Sequence, residues 1–328
     1  MLPNAFPVTA QAVPPGTCRV EAAITSGHCK LALVHLGEAG GSWCLGSDEG
    51  AYLRGSDTAP APLMHWAAGV HADLLRRGAA AGPVAIEFGY AVSGSFAQGG
   101  AVGEAFAPEI HGDIGSVDGS PLVAAMRVPL QNTFALYVNG RRRAVTGARA
   151  SAAPDVPDPF LAHPEPPRPL SEPQPPLIGK QPLDPDVKVA PLPISTAGLR
   201  FGSRVEGALD PADGLVRSTV SFPGMLASRF TFTADAAGRR APSGPAYAWA
   251  AVAFCYLTQV SRYIGARELG VSAARLMQQG PLAGPIDTHL FLNGAGDDAT
   301  MQELLAMAAR TCYLHATLGA SLEPLVVP

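Results

Sequence analysis

The sequence of 328 residues predicts a duplicated fold, in which two lobes of strands and helices flank a proline-rich segment. The first observation is a repeated helical segment, which reads PLMHWAAGVHADLLRR from Pro62 and PAYAWAAVAFCYLTQV from Pro245. Both copies contain Pro, three residues and Trp-Ala-Ala before a mostly apolar run. The second observation is the density of proline over residues 153–193, which separates the two copies.

The two helices are in register over most of their length. When Trp66 is aligned with Trp249, the offset is 183 residues (249 minus 66), and Ala72 falls on Cys255. The first copy therefore has alanine where the second has a thiol. This difference predicts one cysteine site per chain rather than two.

A second pair of segments matches at almost the same offset. AAMRVPLQNTF from Ala124 aligns with AARTCYLHATL from Ala308, an offset of 184 (308 minus 124), and Val128 falls on Cys312. Alanine-rich helices resemble one another by composition, but a nearly constant offset over two separate segments favours duplication.

Each lobe has the same order of predicted elements. Alternating apolar and polar residues predict strands in both lobes, at TCRVEAAI, LALVHL, VAIEFGYAV, SRVEGALD, STVSF, SRFTFTAD and DTHLFLNG. Pro62 and Pro245 suit the first turn of a helix, where a missing N–H costs nothing. Ser120 predicts the N-cap of a further helix, and Thr300 with Glu303 predicts a capping box.

The proline-rich segment divides the chain into residues 1–152, a linker of 153–193, and residues 194–328. Proline fixes φ and removes amide donors, so we expect neither helix nor central strand there. At about 3.1 Å per residue in the polyproline conformation, such a linker is long enough to cross a domain. A disordered linker and one that packs along the surface both fit this composition.

Composition excludes several classes of function. The net charge of −4 and the pI near 6.1 give no basic footprint for nucleic acid, and no apolar run is long enough to span a membrane. The N-terminus has no signal-peptide pattern. Five scattered cysteines without CxxC or Cys/His spacing predict a cytoplasmic protein without a metal or other cofactor.

The cysteine segments resemble the OsmC/Ohr superfamily, the osmotically inducible protein C and organic hydroperoxide resistance proteins. Cys255 lies in an alanine-rich helix like that family's P-x-E-x-L-x-A-A-x-x-x-C, and Cys312 begins CYLHATL, which is similar to C-P-V-H-x-T-L. The first lobe keeps the proline of the second motif in VPLQNTF. The resemblance implies an α+β fold with antiparallel sheets around two long central helices. Family members are intertwined homodimers, so this chain would form an intramolecular pseudo-dimer, either monomeric or in a higher homo-oligomer.

The resemblance also implies a chemistry. Cys255 would attack a hydroperoxide and become a sulfenic acid, Cys312 would resolve it as a disulfide, and a dithiol would reduce the disulfide. Cys255 lies about three turns into its helix, too deep for the helix dipole to stabilise a thiolate, so a cation is required. The family's Glu near the helix start is missing from both copies. Arg217 is the first candidate for the family's activating Arg, and Arg204 is the second.

Four further residues are candidates for the substrate pocket: His65, His71, Tyr247 and Trp249. His71 adjoins Ala72, so in a pseudo-dimer it would face Cys255 as a base or cation. Satisfied structural histidines and a buried structural cysteine are the alternatives.

The predicted function is reduction of organic hydroperoxides by a cysteine pair, with a small-molecule substrate and a dithiol reductant as partners. Two alternatives keep the fold. In the first, the site acts on a specialised metabolite without peroxidase activity. In the second, the chain is a non-catalytic binding protein.

Overall fold

Two helices lie face to face between two β-sheets. A computed structural model of the chain describes residues 5–37, 41–77, 82–95, 98–162, 167–171, 175–183, 199–225 and 227–327. The helices are α1 (Pro62–Arg77), α2 (Pro121–Arg127), α3 (Pro159–Ala162), α4 (Gly244–Ala266), α5 (Asp298–Thr311) and α6 (Tyr313–Gly319). Within these ranges, no helix combines the length and the apolarity that a membrane crossing needs.

The strands of the first half are β1 (Phe6–Pro7), β2 (Thr17–Ser26), β3 (Cys29–Leu36), β4 (Ser42–Ser47), β5 (Val84–Ser93), β6 (Val102–Ala105), β7 (Glu109–His111), β8 (Thr133–Val138) and β9 (Arg141–Arg143). Those that follow are β10 (Ile178–Gln181), β11 (Arg200–Leu209), β12 (Leu215–Ser221), β13 (Arg229–Asp235), β14 (Gly270–Pro281), β15 (Asp287–Ala295) and β16 (Leu325–Val327). The mixture of sheets and helices confirms the α+β class.

Both sheets combine strands from the two halves of the chain. The first runs β1-β4-β3-β2-β14-β15-β8-β9, and the second runs β10-β13-β12-β11-β5-β7-β16, with β6 also paired to β5. Strand β2 pairs with β14 in one sheet, while β11 pairs with β5 in the other, so the exchange is reciprocal. Two pairs, β15 with β8 and β16 with β7, are parallel, which the expectation of antiparallel sheets did not include.

The helices separate the sheets into four layers. Helix α4 packs on β2, β3 and β14 of the first sheet, and α1 packs on β11, β12 and β5 of the second. The main cluster of buried apolar side chains runs through both halves of the chain. A core shared in this way makes the two halves depend on each other for burial.

Most predicted element starts are confirmed, and one cap is wrong. Helix α1 begins at Pro62, and the Ser120 side chain accepts a hydrogen bond from the Val123 amide at the start of α2. Helix α5 is capped instead by Asp297, whose side chain accepts from the Thr300 amide at 2.8 Å. Thr300 therefore lies inside the first turn rather than at a cap.

The repeat diverges after α2. In the first half the helix ends at Arg127, before Pro129, and the chain continues into β8. In the second half the matched residues form α6. Pro129 ends α2, because the residue before a proline disfavours the helical conformation, and Val128 is extended. The second copy breaks at the matched residue, Cys312, without a proline.

The described parts of the linker pack against the surface. One helical turn, α3, occurs where no helix was expected, and β10 pairs with β13 as an edge strand. Arg142 donates to the carbonyls of Ser151 and Ala153 at 2.8 and 2.7 Å, which fastens the start of the segment. An edge position tolerates the proline-rich flanks of β10.

The two central helices touch backbone to backbone at a pair of glycines. A Cβ on Gly69 would lie 2.7 Å from the Gly244 carbonyl oxygen and 2.8 Å from the Ala248 nitrogen. A Cβ on Gly244 would lie 2.6 Å from the Gly69 carbonyl oxygen. Since each clash is with backbone, no side chain can move aside, and the crossing requires glycine at both positions.

We therefore expect Gly69→Ala to lower the free energy of unfolding by about 2 kcal/mol or more, because overpacking a tight contact costs more than the gain in helix propensity. Gly265→Ala is the matched control, since an added Cβ there meets nothing within 4 Å on the same class of element. Denaturant unfolding of both variants measures the difference. Equal stability of the two variants would contradict the close crossing.

Candidate functional site

A cleft opens beside Cys255, where residues of both halves meet. Its cavity volume is about 40 Å³. Its walls are mainly apolar and include Leu53, Leu63, Phe201, Phe222 and Met225. Its polar lining consists of Glu49, Tyr52, Cys255, Thr258, Gln259, Arg262 and Tyr313.

Helix α4 supplies most of this polar lining from one face. Cys255, Thr258, Gln259 and Arg262 are spaced i, i+3, i+4 and i+7, so they lie one above another along the helix. Most of the other residues of α4 are apolar and buried. This polar stripe is present in the sequence, and its helical spacing from Cys255 is the signal by which Arg262 could have been found.

The two cysteines of the second half interact beside the cleft, which Cys255 lines and Cys312 does not. Cys255 is 2% exposed and Cys312 is fully buried, and both are free thiols. Burial raises the pKa of the Cys312 thiol, and its hydrogen bond to Cys255 raises that pKa further. Cys312 is thus held as the protonated donor of the pair.

Cys312 lies at the break between α5 and α6. It ends α5, where its amide donates to the Ala308 carbonyl at 3.0 Å, and it precedes the first residue of α6. The backbone amides of Leu314 and His315 at the start of α6 partly offset the effect of burial on the Cys312 pKa.

Arg262 brings a cation to the cleft. Its guanidinium donates to the Gln259 side-chain oxygen at 3.2 Å and also to the Tyr313 hydroxyl. Burial raises the pKa of Tyr313, Arg262 opposes that rise, and the charges of Cys255 and Glu49 add to it. The Tyr313 hydroxyl therefore lies where the fields of Arg262, Cys255 and Glu49 meet.

A tightly organised loop between β4 and α1 carries Glu49 and Tyr52. Asp48 accepts from the amides of Glu49, Ser56 and Thr58 at 2.8, 3.1 and 3.0 Å, and from the hydroxyls of Ser56 and Thr58. Burial alone would raise the pKa of Asp48, but these hydrogen bonds outweigh it and hold the pKa below its ordinary value. The ionised Asp48 thus closes the loop around itself.

Glu49 joins the loop to both sheet and helix. Its carboxylate accepts from the Tyr52 hydroxyl at 3.0 Å and from the Thr258 hydroxyl at 2.7 Å. The Lys30 ammonium lies 3.5 Å away, and both charged side chains are almost fully buried. A carboxylate therefore reaches the cleft from the first half of the chain, although none stands at the start of either long helix.

The predicted activating arginines lie elsewhere. Arg217 is on β12, half exposed, with its guanidinium held by Asp210 at 2.7 Å and by Asp213 at 2.5 Å. Arg204 on β11 forms an ion pair with Glu87. Neither belongs to the residues that line the cleft, so Arg262 replaces them as the candidate cation.

The predicted pocket histidines are structural contacts. His71 bonds to the Ser218 hydroxyl and the Val84 carbonyl, both at 2.9 Å, and burial lowers its pKa to about 4. His65 bonds to the Gly46 carbonyl at 3.0 Å, and burial lowers its pKa to about 3. Neither lines the Cys255 cleft.

The two predicted aromatic pocket residues also point away from it. The Tyr247 hydroxyl donates to the Thr233 carbonyl at 2.9 Å. The Trp249 ring donates to the Leu282 carbonyl at 3.4 Å and borders a separate apolar cavity with Trp66. Both are core side chains on the faces of α4 that do not reach the cleft.

Among the described residues, one group of side chains brings three possible metal ligands close together, and it lies outside the cleft. Donor atoms of Glu87, Glu109 and His111 on β5 and β7 lie within 4.8 Å of one another. Arg204 already pairs with Glu87 there. The cysteine cleft is not part of this group, so its chemistry is argued from thiols, a guanidinium and a carboxylate.

Replacing Asp48 by Asn should lower the free energy of unfolding at pH 7 by about 1–3 kcal/mol, because hydrogen bonds to a charged acceptor are lost. Since the Asp48 pKa is depressed on folding, its contribution is present above the ordinary value of 3.8 and is lost as the pH falls below it. The difference between variant and wild type should therefore shrink in acid. Asp113→Asn, at an exposed position, is the control, and a difference that does not change with pH would contradict the role of Asp48.

Comparisons of the chain with models of protein families, with curated proteins and with solved structures found no match. The resemblance to the OsmC/Ohr superfamily therefore depends on the two cysteine motifs and on the arrangement of the elements around them. What that resemblance implies about activity is a proposal, argued from the cleft.

Proposed function

We propose that the chain is a thiol-dependent peroxidase of the OsmC/Ohr type, which reduces organic hydroperoxides with Cys255 as nucleophile and Cys312 as resolving thiol. The observation that carries this proposal is the pairing of two neighbouring thiols, Cys255 and Cys312, beside a mainly apolar cleft that Cys255 and Arg262 line. A buried cysteine with only a packing role needs neither a second thiol nor a cation beside it.

The proposed reaction has three steps. The Cys255 thiolate attacks the terminal oxygen of the hydroperoxide, the O–O bond breaks, and the leaving alkoxide takes a proton to become an alcohol. Cys312 then attacks the sulfur of the Cys255 sulfenic acid, forming a disulfide and releasing water. A dithiol reduces the disulfide by two exchange steps and is itself oxidised to a disulfide.

The apolar walls suit an organic substrate. Leu53, Leu63, Phe222 and Met225 offer a surface that favours an alkyl or aryl group over water. Arg262 lies on the same helical face as Cys255, two turns further along, and lines the same cleft, so in this proposal its guanidinium stabilises the thiolate. The family places its activating arginine on an earlier strand or turn, so this chain would use a different residue for the same charge.

The arrangement of the halves supports the pseudo-dimer. Residues 1–152 and 194–328 exchange strands reciprocally, and their long helices α1 and α4 pack together at the centre. In this proposal the linker of 153–193 joins two halves that are separate subunits in the family, and the chain works in the cytoplasm with a dithiol reductant.

Wild-type protein should consume cumene hydroperoxide in the presence of a dithiol, and Cys255→Ser should lose this activity by about a hundredfold or more, because the nucleophile is removed. Cys29→Ser and Cys44→Ser are matched controls, since neither residue lines the cleft. A coupled assay of peroxide loss measures all four proteins. Equal rates for Cys255→Ser and wild type would refute the proposal.

Arg262→Gln should slow peroxide reduction by about tenfold or more, because the cation that stabilises the thiolate is lost. Arg217→Gln should leave the rate near that of wild type, since Arg217 is held by Asp210 and Asp213 on β12. The rate constant for the first step, measured with excess peroxide, distinguishes the two variants. The reverse order would restore Arg217 as the activating residue.

A repurposed enzyme is the second candidate. Tyr313 takes the place of the family's proline after the resolving cysteine, and its hydroxyl lines the cleft beside Glu49 and Tyr52. This set of acid–base groups would suit a specialised metabolite rather than a peroxide. A bound non-peroxide ligand, detected by native mass spectrometry in a protein that does not reduce peroxides, would favour it over the first proposal and over a non-catalytic binding role.

A further inference from the structure

A buried lysine pairs with the carboxylate of the cleft and does not itself line the cleft. Lys30 on β3 is 1% exposed, and its ammonium donates to the His28 carbonyl at 2.7 Å. It also lies 3.5 Å from the Glu49 carboxylate, whose other partners are the hydroxyls of Tyr52 and Thr258. Lys30 is not among the residues that line the cleft, so it acts on the site only through Glu49 and through its charge.

Glu49 poses an electrostatic problem for a thiolate at Cys255. Both residues line one cleft, and the charges of both act on the Tyr313 hydroxyl. Two negative charges that line one largely buried cleft oppose each other's formation. Arg262 alone would have to compensate both the carboxylate and the thiolate.

We propose that Lys30 is a positioning residue of the cleft, which neutralises Glu49 from behind so that the guanidinium of Arg262 is left to stabilise the Cys255 thiolate. The two hydroxyl donors hold the carboxylate in place, and the ammonium balances its charge. Burial makes this balance effective, because water does not screen the pair. The inference rests on the proposed function in taking Cys255 as the reacting group.

Other titratable groups face this region from every surrounding element, and none of them is altered in the test. They are Cys312 and Tyr313 at α6, Tyr90 on β5, His65 on α1, Tyr52, Asp48 and Asp57 in the loop before α1, His28 before β3, and Arg262 on α4.

The test is the pH dependence of Cys255 alkylation by iodoacetamide, followed by mass spectrometry of the peptide that contains Cys255. Lys30→Met should raise the pH of half-maximal rate by about one unit, which is about a tenfold slower reaction at neutral pH. Glu49→Gln should lower that pH. The double variant Lys30→Met with Glu49→Gln should return to within about 0.3 units of wild type, and Lys30→Arg should resemble wild type.

Each outcome decides the inference. If the pH midpoint of Cys255 alkylation in Lys30→Met equals that of wild type, the inference is overturned. It is also overturned if the double variant is shifted as far as Lys30→Met, because the shift would then come from altered packing and not from the charge of Glu49. Removing one partner of a buried ion pair is strongly destabilising, so Lys30→Met alone is open to misfolding. Glu49→Gln and the double variant then suffice: the inference requires the first to lie below wild type and the second to lie near it.

Alkylation separates this inference from the proposed function. Iodoacetamide reports the charge around the sulfur whether or not the chain reduces peroxides. If cumene hydroperoxide is not consumed while the midpoints shift as stated, the peroxidase proposal fails and the role of Lys30 stands. If peroxide is consumed while the midpoints do not move, the reverse holds.

Discussion

The contact of α1 with α4 at Gly69 and Gly244 is the constraint on which the rest of the structure depends. Backbone meets backbone there, so the two helices approach more closely than any pair of side chains would permit. The close approach forms the two inner layers, each covered by one sheet. It also brings the loop before α1 to the side of α4, where Cys255 lies. A wider crossing would separate Glu49 from Thr258 and open the cleft.

The exchange of strands between the two halves stabilises this helix crossing, because a sheet with strands of both halves covers each helix. The meander β2–β4 of the first half joins β14 and β15 of the second, and β11–β13 of the second half joins β5 of the first. Each sheet therefore contains strands of both halves and packs on the helix of one of them. The two halves cannot separate without breaking strand pairs in both sheets and exposing the shared core to water. The described parts of the linker lie along the surface of this assembly, and β10 extends one sheet edge.

Charge in the cleft is arranged in two tiers. Cys255, Tyr313, Arg262 and Glu49 line the cleft, whereas Lys30 lies outside the lining and pairs with Glu49. A buried ion pair is a poor source of stability, because desolvation offsets most of the attraction. Its retention at this place is better explained by what it does for the neighbouring thiols. The hydrogen bonds that link it to the loop and to α4 also fix the geometry of the wall.

Many of the helices and strands could be predicted, because short local patterns in the sequence determine them. Prolines at helix starts and the alternation of apolar and polar residues in strands are patterns of residues that are neighbours in sequence. The nearly constant offset between the two pairs of matched segments can likewise be read directly from the sequence. The parallel pairing of β8 with β15 and the cap at Asp297 were not predicted, since several local arrangements satisfy the same residues. The histidines of α1 were misplaced for a related reason: helical spacing gives the face of a residue but not its partner.

The sequence by itself predicts that the chain is duplicated, and it determines that one of the two matched helices carries a cysteine where the other has alanine and that the same half holds a second cysteine. Only the tertiary structure decided which charges surround them. Glu49 and Thr258 are 209 residues apart and bond at 2.7 Å, and Arg262 rather than Arg217 lines the cleft. The physical reason is that electrostatic interactions depend on distance through space and on burial, and both are set by how the helices and sheets pack.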